Sequence, residues 1–270
     1  MEFPAELQIA ERAARAAGAV IRALYDRGEI AVDTKADDSP VTQADRDANA
    51  VILEILTTAF PADALLSEET PDTAARLTSR RVWIVDPLDG TKDFVQRSGE
   101  FAVHVGLAVD GVPVVGAVDL PMAGVTYAAS RGHGAWRIAG ERRTRVHVGT
   151  TAVLPALRIG TSRAYPSAAL VRFLDDNHIA SRVAMGASTK LVAVAAGELD
   201  AVINLGSGEC EWDTCAPEII VREAGGTYTD ATGAGFRYNL PDPKHLRGSI
   251  CSNGACHAAL VDALAPYVPG

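Results

Sequence analysis

Apolar positions set the frame of the chain. Leu7, Ala10, Ala14, Ala17, Ile21 and Leu24 recur at helical spacing, predicting a helix from Pro4 to Arg27 that Gly28 stops. A second helix is expected from about Gln43 to Phe60, with Val51, Ile52, Ile55 and Leu56 turned inward. Short apolar runs follow at ALLS and RVWIVD, then two longer ones, Phe101–Val109 and Val112–Val118. Asp110-Gly111 joins that pair and reads as a hairpin turn, since both residues tolerate positive φ. A further strand is expected at Gly124–Ala129.

From about Leu157 the style changes to alternating strands and helices. Strand LRIG leads to a helix over Ser167–Asn177, and a helix over Ser188–Ala196 to strand DAVINL. A helix over Asp213–Ala224, strands at Gly226–Thr229 and Gly248–Cys251 and a last helix over His257–Leu264 complete the pattern. The reading is an antiparallel α+β lobe over residues 1–150 followed by an α/β lobe over 151–270.

Composition narrows the function. A net charge of −9 repels polyanions over most of the surface, which argues against a nucleic-acid polymer as partner. No stretch reaches the roughly 18 apolar residues of a membrane span, and the charged N-terminal stretch lacks a signal-peptide core, so a cytoplasmic setting is expected. The four cysteines, Cys210, Cys215, Cys251 and Cys256, lack CxxC spacing and read as small buried thiols rather than a zinc site.

The candidate chemistry lies in carboxylates at the ends of expected elements. They are Asp45 in PVTQAD, Glu68 and Glu69 in LLSEET, Asp86 and Asp89 in WIVDPLDGT, and Asp213 in EWDT. An aspartate ending a strand of Trp, Ile and Val is costly unless paired or metal-bound, so Asp86 carries the most weight. Pro87 is expected to turn the chain so that Asp89 points back toward Asp86, and a helix from Thr91 would offer free N–H groups to a phosphate. Thr42 and Asp45 also form a capping-box pattern, Glu68-Glu69 suits a solvated turn, and Asp213 suits a helix N-cap. All-oxygen donors favour Mg²⁺ over zinc, and no Ser, Cys or His triad stands out.

In the blocks LLSEET, WIVDPLDGTKDF, GASTKLVAVAAGELDA and EWDTCAPEIIVREAGG, the chain resembles the inositol monophosphatase superfamily, lithium-sensitive Mg²⁺-dependent phosphatases related to fructose-1,6-bisphosphatase. The resemblance implies a layered αβαβα sandwich. DGTKDF continuing into QRSGEFAVHVGLA, Lys190 in GASTK and FRYN at Phe236–Asn239 look most like the 3′(2′),5′-bisphosphate nucleotidases, which act on 3′-phosphoadenosine 5′-phosphate. An inositol or sugar phosphate is the alternative substrate, and a non-catalytic phospholigand-binding protein the alternative of another class.

Carried onto this chain, the resemblance implies two or three Mg²⁺ ions. Glu69, Asp86 and the Leu88 carbonyl would hold one; Asp86, Asp89 and Asp213 a second; Glu68 would stand near a weaker third. Thr91, backed by Asp45, would orient and deprotonate the attacking water, the Gly90 and Thr91 N–H groups would grip the phosphate, and Arg163, Ser188 and Lys190 would contact the substrate. Homodimers are frequent in the superfamily. Three departures fall where the nucleotide is expected: Ala164-Tyr165 in place of a Ser-His pair, Ala187 in place of a serine, and Asn204 in place of an arginine.

Overall fold

A computed structural model describes residues 2–28, 32–34, 40–163, 167–186, 189–206 and 208–268. The chain opens with α1 (Pro4–Arg27), the short pair β1 (Val32–Thr34) and β2 (Pro40–Thr42), and α2 (Gln43–Ala59). Both helices follow the apolar periodicity, and Gly28 ends α1 at φ 79°.

A seven-stranded sheet comes next, built from β3 (Ala64–Ser67), β4 (Arg81–Asp89), β5 (Ala102–Val109), β6 (Val112–Leu120), β7 (Val125–Ser130), β8 (Ala135–Ala139) and β9 (Arg142–Val146), in that spatial order. The short helix α3 (Thr91–Val95) lies between β4 and β5. Asp110 and Gly111 make the expected hairpin, at φ 53° and 74°. The sheet departs from the antiparallel expectation at one place: β3 runs parallel to β4, because residues 68–80, with a 3-10 turn at Ala74–Thr78, carry the chain back before β4 begins.

The remaining elements are β10 (Arg158–Ser162), α4 (Ala168–Asp176), β11 (Ser181–Met185), α5 (Thr189–Ala195), β12 (Ala201–Asn204), β13 (Glu209–Cys210), α6 (Glu211–Glu223), β14 (Thr227–Thr229), β15 (Lys244–His245), β16 (Ser249–Ser252) and α7 (His257–Leu264). A five-stranded mixed sheet has the order β11-β10-β12-β16-β14, and β13 pairs with β15 separately.

The layers follow from which faces are apolar. Ala10, Ala14, Ala17 and Ile21 of α1 and Ile52 and Leu56 of α2 cover one face of the larger sheet through Trp83, Val85, Val105 and Leu107. The opposite face meets α5 and α6, which also pack on the smaller sheet: Val118 and Tyr127 share one cluster with Val192, Ile219, Ile220, Val202 and Cys251. The outer face of the smaller sheet is closed by Leu170 and Phe173 of α4 and Leu260 and Leu264 of α7. The order is helix, sheet, helix, sheet, helix. Among the described residues, no helix is long and apolar enough to cross a membrane.

Candidate active site

The site sits where β4 ends, α3 begins and α6 begins. Along β4 the register on β5 runs Asp86 to His104 and then Asp89 to Ala102, so three residues of one strand oppose two of the other. Side chains alternate faces along a regular strand, and residues three apart would face opposite sides. The extra residue of this bulge returns Asp89 to the face of Asp86. Pro87 therefore does not end the strand, as the sequence suggested; β4 continues through the bulge to Asp89.

Asp213 comes from α6, which starts two residues earlier than expected, at Glu211. It is the third helical residue rather than the cap: its Oδ2 accepts the N–H of Cys210 at 2.6 Å. Ligand oxygens of Asp86, Asp89 and Asp213 all lie within 4.8 Å of one another. Asp86 is 1% exposed, and its Oδ1 accepts the N–H of Leu88 at 3.0 Å. Burial raises the pKa of Asp86 well above the carboxylate range, and Glu68, Asp89 and Asp213 push it in the same direction. Asp213 is raised by burial and then by Asp89. A buried cluster of carboxylates is relieved either by protons or by a cation. The donors are all oxygens, with the Leu88 carbonyl adjoining, and this fits a hard divalent cation.

Glu68 and Glu69 follow β3 directly. The charge of Glu68 weighs on Asp86, Asp213 and Cys210. That of Glu69 weighs on Arg46. Glu68 therefore reaches the cluster electrostatically, with Glu69 next to it in the same turn.

Asp45 is 1% exposed in the first turn of α2. Its Oδ2 accepts both the N–H and the hydroxyl of Thr42, at 2.7 and 2.6 Å. Its Oδ1 accepts the Thr91 hydroxyl at 2.9 Å, whereas the Leu88 carbonyl stands 3.3 Å from that hydroxyl. Gly90 precedes α3 at φ 93°, a conformation an L side chain rarely adopts.

Two site neighbours were not singled out from the sequence. The His104 ring is wholly buried: Nδ1 faces the Trp212 carbonyl at 3.3 Å, and Nε2 lies 3.8 Å from Asp89 Oδ2. A carbonyl only accepts, so Nδ1 carries a proton. Burial holds His104 below the usual histidine range, against the pull of Asp89. Glu209 is half-buried with its Oε2 sealed from solvent; that burial raises it, while the charge of Lys190 works the other way. His104 hid in an otherwise apolar strand, and Glu209 beside the EWDT block, where Asp213 was the residue that stood out.

On the substrate side, Lys190 stands in the first turn of α5, with its charge felt at His104 and Glu209. Arg163 pairs with Glu100 at 2.6 Å. Ser188, with Ala164, Tyr165 and Ala187, lies outside the described residues. Asn204 ends β12, its Oδ1 accepting the Gly206 N–H at 2.8 Å. The four cysteines are buried free thiols, and burial pushes Cys210 up to about 12.

A family model described as the inositol monophosphatase family matches residues 5–268. The chain belongs to that family. The resemblance drawn from DPLDGT and EWDT is thus borne out, as is the layered fold. A 3′(2′),5′-bisphosphate nucleotidase CysQ of Aggregatibacter actinomycetemcomitans is 37% identical over 231 residues, covering 84% of each chain. A 3′-phosphoadenosine 5′-phosphate phosphatase of Mycobacterium bovis is 35% identical over 236 residues, covering 81% of this chain and 82% of its own. The crystal structure of the extragenic suppressor protein SuhB of Bartonella henselae superposes with a TM-score of 0.82 at 28% identity, covering 97% of this chain and 98% of its own.

Proposed function

We propose that the protein is a Mg²⁺-dependent phosphomonoester hydrolase that removes the 3′-phosphate of 3′-phosphoadenosine 5′-phosphate. The observation that carries the chemistry is the buried Asp45–Thr91 hydrogen bond beside the three aspartates. A protein that only holds a phosphorylated ligand has no use for a threonine hydroxyl aimed by a buried carboxylate. A water nucleophile does. The substrate comes from the nucleotidase relatives and from Lys190 facing the site.

Asp86, Asp89, Asp213, Glu69 and the Leu88 carbonyl would hold two Mg²⁺ ions, with Glu68 near a weaker third; bound there, Mg²⁺ would neutralise a phosphate dianion and lower the pKa of a bound water. The chain does the rest by aim. Thr42 occupies one oxygen of Asp45, leaving the other for the Thr91 proton. With its proton so committed, the Thr91 oxygen presents lone pairs to the attacking water and orients it. The Gly90 and Thr91 N–H groups receive the phosphate, Lys190 and Arg163 contact the nucleotide side, and Ser188 is assigned to the same contact from the sequence alone. A cytoplasmic setting and a homodimer go with this reading, the second checked by sedimentation velocity.

Phosphate release from 3′-phosphoadenosine 5′-phosphate, inositol 1-phosphate and fructose 1,6-bisphosphate, with Mg²⁺ or with chelator, tests the reading. The nucleotide should lead by at least about tenfold in kcat/KM, the scale of one charge-assisted contact. Chelator should abolish turnover, and roughly millimolar Li⁺ should inhibit where Na⁺ at matched ionic strength does not. Preference for inositol 1-phosphate would return the alternative phosphatase. No release from any of the three would leave a phospholigand-binding protein.

A further inference from the structure

Two strands of the smaller sheet run out beside the site. β10 ends at Ser162, immediately before Arg163, and β11 ends at Met185, immediately before Gly186 and a few residues before Lys190. Both ends meet one carboxylate from the other half of the molecule. Glu100, between α3 and β5, accepts from Arg163 Nη2 through Oε1 at 2.6 Å and from the Gly186 N–H through Oε2 at 2.5 Å. The Arg163 N–H also reaches the Met185 carbonyl at 3.2 Å, so the two strand ends are tied to each other as well.

Gly186 is seated where no side chain fits. A Cβ there would lie 2.7 Å from both the Cβ and the carbonyl oxygen of Glu100, and 2.8 Å from Oδ1 of Asp93. Asp93 belongs to α3, two residues after Thr91, and its Oδ1 is held by the Ser98 hydroxyl at 2.9 Å. Gly186, four residues before Lys190, therefore rests directly on the helix that begins with Thr91. Burial of Glu100 opposes its ionisation, yet the bonds from Arg163 and Gly186 prevail and hold its carboxyl below the usual range.

We infer that Glu100 is a positioning residue for substrate: it docks the Arg163 and Gly186 segments onto α3 and so fixes where Arg163 and Lys190 stand relative to Thr91. The inference rests on the nucleotidase reading for its substrate. It also redefines Arg163. A guanidinium has five N–H donors, and the Arg163 side chain remains 53% exposed after Glu100 takes one edge. Its charge is paired with Glu100, so it contributes aimed hydrogen bonds toward the nucleotide.

Glu100→Gln keeps the shape and one acceptor, but it forces an amide N–H₂ toward one of two donors; Glu100→Ala removes both bonds. With Mg²⁺-loaded enzyme, Glu100→Gln is expected to raise KM for 3′-phosphoadenosine 5′-phosphate about tenfold and to leave kcat within about twofold. KM for p-nitrophenyl phosphate, which has no nucleotide and no second phosphate, should move by less than about twofold. Amide hydrogen exchange, read on the same loaded proteins without substrate, should quicken at residues 181–186 and 189–195 in Glu100→Ala, with α1 and α2 unaffected. Equal loss on both substrates, or a fall in kcat at unchanged KM, would overturn the positioning role. If the wild-type enzyme does not prefer the nucleotide, the substrate reading fails. The exchange data still judge the tie, and an unchanged rate at Gly186 would refute it.

Discussion

Asp45 shows how one side chain serves local structure and chemistry together. A capping-box aspartate needs only one oxygen on the Thr42 N–H, and the sequence pattern is satisfied by that role alone. The fold gives the other oxygen to Thr91, a residue on a different element. In Asp45→Asn, the amide that keeps its oxygen on Thr42 turns N–H₂ toward Thr91 and reverses that bond. The threonine proton then points at the position of the nucleophile. Turnover should fall by about 10²–10⁴-fold, comparable to Thr91→Ala, with about 1 kcal/mol or less lost from stability. The two changes interrupt one hydrogen bond, so the double variant should be hardly slower than either single one. Multiplying losses in a double-mutant cycle of kcat would show that the two residues act separately.

At the scale of elements, α6 decides whether the site assembles, since it brings Asp213 from the far half of the chain to Asp86 and Asp89. It reaches them because β6 yields space. A Cβ on Gly116 would lie 2.5 Å from both the Ala216 carbonyl oxygen and Ile219 Cγ2. Backbone on one side and a fully buried isoleucine on the other leave no easy relaxation. Gly116→Ala should therefore cost about 1–3 kcal/mol, the usual range for overpacking. By displacing α6 it should also weaken Mg²⁺ binding, because Asp213 moves with the helix. Urea unfolding and titration calorimetry on this variant measure the two effects separately. Loss of stability with unchanged Mg²⁺ affinity would mean that the first turn of α6 is held independently of its packing.

Over the whole molecule, buried carboxyls outside the site make stability pH-dependent. Burial pushes Glu218 up to about 7, although the Tyr238 hydroxyl and Arg222 oppose it. Asp119 is pushed up to about 6 by burial, against Thr126 and Arg15. Both folded values exceed the ordinary ones. Their contribution is therefore fully present below the unfolded carboxylate pKa, and it is lost as pH rises through about 6 to 7. In chelator, the protein should lose roughly 1–3 kcal/mol between about pH 5 and pH 8, and Glu218→Gln should flatten that slope. Mg²⁺ should stabilise more at the higher pH, because Asp86 and Asp213 must shed protons to bind it. A stability that rises with pH in chelator, followed by urea unfolding, would contradict this.

The sequence by itself determined most of the elements whose burial is one-sided or complete. α1 could be read from alanine and leucine spacing, and the β5–β6 hairpin from two apolar runs around Asp110-Gly111. It also named the aspartates, because a carboxylate ending an apolar strand violates local preference and signals function. β8, β9 and β11 escaped: AWRIA is short and only partly buried, and the exposed positions in RRTRV and SRVAM carry no alternation to detect. What only the tertiary structure decided were relations between side chains far apart in the chain. The bulge in β4 sets which face Asp89 takes, and His104 stands beside Asp89 because β5 pairs with β4 in that register. Local sequence fixes the period of a strand or helix, but the face, the register and the distance between two elements follow from how all the apolar surfaces close together.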